Sequence, residues 1–208
     1  MKELIESVEN LINSDIKEIV DKRIQEFSEI RKGSINKIFK ELCFCVMTAN
    51  CGAEKCIEVH EGIDDGFLNL SEAQLSKRFK DLGYRFPNLR AKYIAEDQNY
   101  KHMLGNMLKK NGDEHELREW IAKTMKGIGY KEASHFLRNI GYKNYAIVDF
   151  HIIDLLVKHE LYQRPKTLTK KKYLEVETLL KDIASKLHLN LAELDLYLWY
   201  LETGKILK

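Results

Sequence analysis

The chain has 208 residues, 44% of them hydrophobic and 32% charged, which is enough to bury one sizeable core or two small ones and too apolar for a disordered chain. A formal net charge of +2 neither demands nor excludes a polyanionic partner, but the charges are unevenly placed: residues 1–65 hold 9 Lys and Arg against 14 Asp and Glu, and residues 66–208 hold 25 against 18. Met1 to Asn13 alternate charged and apolar positions, unlike a secretory leader, and no later apolar run approaches a membrane span, so an intracellular, cytoplasmic protein is expected.

Apolar residues recur at i, i+3, i+4 nearly throughout, β-branched alternation is almost absent, and only Pro87 and Pro165 interrupt the pattern. An all-α fold follows. Leu4, Ile5, Val8, Leu11 and Ile12 start a first helix, and Ile16, Ile19, Val20, Ile24 and Phe27 a second, with Ser14 as its N-cap. Ser34 caps a third helix whose dense apolar run from Ile38 to Met47 predicts deep burial and which ends near Thr48-Ala49-Asn50. Asn50 suits either a helix-end cap or a ligand contact. Cys43, Cys45, Cys51 and Cys56 match neither a zinc nor an iron–sulfur spacing and read as small buried side chains in a reduced compartment.

A fourth helix is expected from about Gly52 to His60, closed by the loop Gly62 to Gly66. Ser71 with Gln74 gives a capping-box start for Leu75 to Leu82. In the connection Gly83 to Asn88, Pro87 restricts Phe86 to extended geometry, and Phe86 either covers the core or stands exposed as a binding aromatic. Leu89, Tyr93 and Ile94 lead a helix that fades at Glu96 to Asn99. The charged stretch Lys109 to Glu114 is where a subdomain boundary would cost least. From His115 to Gly141 the pattern reads helix, hairpin, helix, with Gly127-Ile128-Gly129 at the turn. Asp149 is placed as N-cap of the helix carrying Ile152 to Val157, and two last helices carry Tyr173 to Leu187 and Leu191 to Leu201.

A GxG turn between helices presents backbone N–H groups and a helix N-terminus, which attract phosphate and so position nucleic acid without reading its bases. Lys123, Lys126 and Arg138 would add salt-dependent attraction. Lys131 lies two residues past Gly129, where the helix dipole disfavours an ammonium and partial burial would add to the effect. The position matters because only a neutral lysine is a nucleophile, and deprotonating an ordinary lysine at pH 7 costs about 4 to 5 kcal/mol. Lys131 is therefore either a Schiff-base nucleophile or one more phosphate contact. Asp149, eighteen residues later, is either a plain cap or a fixed anion that stabilises an oxocarbenium-like sugar while lysine attacks its anomeric carbon.

These residues carry a family likeness. Gly127-Ile128-Gly129-Tyr130-Lys131-Glu132-Ala133 followed by Ile147-Val148-Asp149-Phe150-His151 resembles the helix-hairpin-helix and trailing aspartate of the DNA glycosylase superfamily. The third-helix end Leu42 to Asn50, Tyr84-Arg85-Phe86, Lys131 to Asn139 and Leu194 to Lys208 are similar to the archaeal 8-oxoguanine DNA glycosylase/AP lyases. The resemblance implies two helical subdomains, approximately 1–110 and 111–208, with the N-terminal helices packing with the C-terminal one and the active site in the cleft between them. It implies an enzyme acting as a monomer on duplex DNA, nucleoid-associated when bound, that flips out 8-oxoguanine, cuts its glycosidic bond with Lys131 and nicks the backbone by β-elimination. Asp149 would be the electrostatic partner. The extruded base would lie between Phe86 and Trp199, with Asp195 placed to bond the guanine edge and Lys208 reaching the pocket. Asn50, Gly127, Gly129 and His151 would contact DNA, His151 mainly by packing or orienting.

The likeness also implies that no metal or other cofactor is required. With no cysteine beyond Cys56, the C-terminal iron–sulfur cluster of the related endonuclease-III branch is excluded, while a monovalent cation on hairpin carbonyls fits the superfamily. Phe150 stands where the archaeal pattern has arginine, and Pro87 where an aromatic is usual. The competing readings are a helix-hairpin-helix DNA-binding module without catalysis, a glycosylase of the same superfamily acting on another lesion, and a helical interaction protein in which the glycines merely turn the chain.

Overall fold

The helical periodicity of the sequence is realised in a computed structural model that describes residues 1–110 and 114–207. Its helices are α1 (Lys2–Ile12), α2 (Ile16–Arg31), α3 (Ile35–Thr48), α4 (Ala53–Ile63), α5 (Gly66–Asn69), α6 (Glu72–Asp81) and α7 (Pro87–Gln98). They continue with α8 (Lys101–Lys109), α9 (Glu114–Thr124), α10 (Tyr130–Asn139), α11 (Phe150–Lys158), α12 (Lys170–Lys186) and α13 (Leu191–Thr203). Among the described residues there is no strand, and no helix is long and apolar enough to cross a membrane.

Several helix starts follow from single side chains. Ser34 accepts the Lys37 N–H at the head of α3, and Ser71 and Gln74 close a reciprocal capping box on α6. Ser14 Oγ accepts the Ile16 N–H at 3.3 Å. Two expectations change. The fourth helix runs on to Ile63, into the stretch expected as loop, and the single turn α5 begins at the last residue of that stretch, Gly66. Helix α8 occupies Lys101–Lys109, a segment given no assignment from the sequence although Met103, Leu104, Met107 and Leu108 have helical spacing; Leu104 is fully buried and Gly105 leaves room for Ile35.

The chain divides into two compact units: Ile30–Phe136, and Met1–Glu29 with Leu137–Lys208. The second therefore joins the N-terminal helices to the C-terminal ones. The division falls within α2 and α10 rather than near residue 110, and part of the stretch expected to hold it, residues 111–113, lies outside the described residues. In the first unit α3 is buried on every side from Glu41 to Met47, as a central helix must be, and packs against α4, α5, α7 and α8. Its Phe39, Leu42 and Phe44 have no exposed surface, and each contributes about 2 to 3 kcal/mol of burial. In the second unit α13 holds the centre, against α1, α11 and α12.

Candidate active site

In the first unit the end of α3 is tied down by its own carbonyls. Tyr84 donates its hydroxyl to the Met47 carbonyl (2.6 Å), Arg90 donates to Ala49 (2.8 Å) and Arg85 to Asn50 (3.3 Å). Last-turn carbonyls have no intrahelical partner, and a cation satisfies both their lone pairs and the dipole. Arg85 and Arg90 also lie over the Phe86 ring, at 4.9 and 5.4 Å respectively from its centroid. Phe86 and Asn50 are thereby gathered into one cluster. Phe86 is half-buried at the N-cap of α7 with φ −123° and ψ 56°, so only its φ is that of an extended residue. Asn50 is exposed in a left-handed conformation, φ +60°, which asparagine tolerates.

The hairpin between α9 and α10 is held from both ends by carboxylates. Asp97 of α7 accepts the Lys126 N–H at 2.8 Å, and Glu132 accepts the Gly129 N–H at 3.2 Å. Asp97 is almost completely buried. Burial, with the Glu96 charge adding to it, raises its carboxyl to about 7 against the partial relief given by the Lys126 N–H and ammonium. Gly127 has φ +70°, and a Cβ there would stand 2.5 Å from Tyr93, so this glycine is dictated twice over. Lys131 is the second residue of α10, its side chain 27% exposed, with Nζ 3.6 Å from Glu132 Oε1. Its charge also bears on the Cys56 thiol, which burial and the neighbouring Cys51 push upward. Cys43 and Cys45 are buried thiols as well, and among the described residues no group of three or more His, Cys, Asp or Glu could hold a metal ion.

In the second unit Asp149 caps α11, its Oδ1 accepting the Ile152 N–H at 3.0 Å. The segment leading to it is non-helical yet buried from Tyr145 to Val148, so its backbone groups need partners that no ladder supplies. Helix α12 provides them. Tyr173 donates to the Ala146 carbonyl (2.6 Å) and accepts the Val148 N–H (3.2 Å), and Glu177 accepts the Ala146 N–H (3.1 Å). Next to Asp149, Phe150 is 63% exposed, and His151 meets the Trp199 ring edge-on, centroids 5.3 Å apart at 86°. The indole Nε1 of Trp199 is buried and has no hydrogen-bond partner among the described residues.

Asp195, one turn before Trp199, lies 3.6 Å from Arg138. Arg138 is itself buried and stacked over Phe27 at 4.8 Å, so the expectation that it attracts phosphate is corrected: its charge is spent inside the protein on Asp195. Lys123 and Lys126 remain exposed. Lys208 lies outside the described residues. Sequence reasoning missed Glu132, Asp97, Tyr173 and Glu177. For Glu132 there was a signal, a glutamate three residues after a helix-starting glycine, as in half of a capping box. The others act across the fold and left none.

An all-helical chain, a glycine-turned hairpin delivering a lysine to a helix start and an aspartate capping a later helix define a helix-hairpin-helix protein. The family model described as 8-oxoguanine DNA glycosylase matches residues 20–189. Over 206 residues, 99% of either chain, the sequence is 48% identical to the 8-oxoguanine DNA glycosylase/AP lyase of Methanocaldococcus jannaschii, and over 208 residues it is 40% identical to that of Thermotoga maritima, again 99% of each. The crystal structure of the Methanocaldococcus jannaschii 8-oxoguanine glycosylase/lyase in complex with a 15mer DNA containing 8-oxoguanine is similar with a TM-score of 0.95, covering 99% of both chains at 48% identity. That of the Thermotoga maritima 8-oxoguanine DNA glycosylase gives 0.93 at 39% identity, covering 100% of this chain and 99% of that one. The chain belongs to the 8-oxoguanine DNA glycosylase family.

Proposed function

We propose that this protein excises 8-oxoguanine from duplex DNA with Lys131 as nucleophile and then cleaves the backbone at the resulting abasic site. The observation that carries the reading is the placement of Lys131, partly exposed on the first turn of α10 immediately after the hairpin. Neutral Nζ attacks the anomeric carbon as the glycosidic bond breaks, and the departing base takes up a proton. The sugar ring then opens to a Schiff base. Loss of a C2′ proton expels the 3′ phosphate by β-elimination.

Asp149 supplies the negative charge that offsets the oxocarbenium character of the sugar, and its cap bond to Ile152 keeps that carboxylate oriented. Phe86, Asp195, Trp199 and Lys208 recognise the extruded base, while Asn50, Gly127, Gly129 and His151 contact DNA. The partner is duplex DNA bearing 8-oxoguanine or an abasic site, bound by a monomer in the cytoplasm. No cofactor is required by this chemistry. A monovalent cation would rest on hairpin carbonyls, sharing the Gly129 oxygen with the Ala133 N–H that it already accepts at 2.9 Å.

Borohydride trapping on duplex DNA containing 8-oxoguanine tests the reading. A covalent adduct with the wild-type chain, absent in Lys131→Gln, is expected. Tight binding without an adduct in the wild type would leave a DNA-binding module, and an adduct only with other lesions would redirect the specificity.

A further inference from the structure

The ion pair between Lys131 and Glu132 is not one that a helix makes by default. Neighbouring residues on a helix point about 100° apart and do not face each other. Here the two meet because Glu132, third in α10, turns back toward the hairpin. One of its oxygens, Oε2, accepts the Gly129 N–H at 3.2 Å; the other, Oε1, stands 3.6 Å from Lys131 Nζ. The first contact is what a carboxylate near a helix start does to satisfy an orphan donor, and the dipole favours its charge there. The second contact is surplus to that task. At 3.6 Å it is an ion pair without a hydrogen bond, so it orients the resting ammonium, and once the proton is lost the neutral amine leaves with no bond to break.

We infer that Glu132 is a positioning residue for Lys131: its carboxylate, anchored on the Gly129 N–H, fixes the direction of the lysine side chain relative to the hairpin. The inference rests on Lys131 being the nucleophile. Lysine has four rotatable side-chain bonds and much to lose on being oriented, so a group that settles the question before DNA arrives works as preorganisation. The anchor is stiff on the Glu132 side, whose side chain is 16% exposed, and softer on the lysine side, at 27%. The same carboxylate also occupies one of the backbone donors on which phosphate binding by the hairpin would draw.

Glu132→Gln separates the two contacts, because the amide oxygen can still accept from Gly129 while the charge facing Lys131 is gone. On duplex DNA with a pre-formed abasic site, the maximal borohydride-trapping rate should fall about 10- to 30-fold, with half-saturating DNA within about twofold of wild type and an unchanged melting temperature. Glu132→Ala, which loses both contacts, should show the same rate loss and, because the hairpin anchor at Gly129 goes with it, a lower melting temperature. Trapping by Glu132→Gln at the wild-type rate would overturn the inference, as would equal losses in rate and half-saturation accompanied by a lower melting temperature, which mark a merely structural role. Lys131→Gln run alongside keeps the two claims apart: an adduct in that variant defeats the nucleophile assignment itself, whereas a silent Lys131→Gln beside a fully active Glu132→Gln defeats only the positioning role.

Discussion

Lys131 and Asp149 both sit at the start of a helix, and the same local field acts on them in opposite senses. The first turn of a helix presents uncompensated N–H groups and the positive end of the dipole. Asp149 gains from both, since it is an anion and accepts the Ile152 N–H. Lys131 gains from neither, and the unit that carries it compensates with carboxylates: Glu132 beside the amine, and Asp97 and Glu132 on the hairpin N–H groups of Lys126 and Gly129. A fixed anion therefore needs only a cap, while a reactive amine in the same kind of place needs an assembled surround.

The largest expected effect breaks the comparison on the aspartate side. Asp149→Asn keeps a good N-cap and removes only the charge, so stability should stay within about 0.5 kcal/mol while single-turnover excision slows about 100- to 1,000-fold. Full excision by that variant would reduce Asp149 to its cap. On the hairpin side, Gly127→Ala forces a Cβ into the Tyr93 ring at φ +70° and should cost about 2 to 3 kcal/mol in denaturant unfolding. The most gradual signal is the pH dependence of Asp97. Its carboxyl is raised to about 7 in the folded chain, so the unfolded chain gives up the proton first as pH rises from about 4. The contribution of Asp97 to stability is greatest below that range, declines by at most about 1.4 kcal/mol per pH unit, and levels above 7. Asp97→Asn should flatten the melting temperature between pH 4 and 7; an unchanged slope would mean that another group sets it.

What the sequence disclosed depended on how far each interaction reaches along the chain. Caps span three residues, so Ser34, Ser71 with Gln74, and Asp149 were legible at once, and so was the glycine turn at Gly127. Arg138 was misread because burial of a charge depends on a partner 57 residues away, Asp195, and nothing in its neighbours announces that. Asp97 lies 29 residues from the N–H it holds. The assignment of Met1–Glu29 to the unit of Leu137–Lys208 likewise has no local signature, being decided by which helix faces find each other. Glu132 is the instructive omission, since its reach back to Gly129 is short and could have been read.

The Tyr173 hydroxyl has a consequence beyond geometry. By donating to Ala146 and accepting from Val148 it does for a non-helical segment what a neighbouring strand does in a sheet, using one phenol in place of a second backbone. Releasing that segment means moving a ring that is 2% exposed in α12, so the amides ahead of Asp149 are sheltered by a helix to which they do not belong. The approach to Asp149 thus inherits the lifetime of α12 rather than that of a loop.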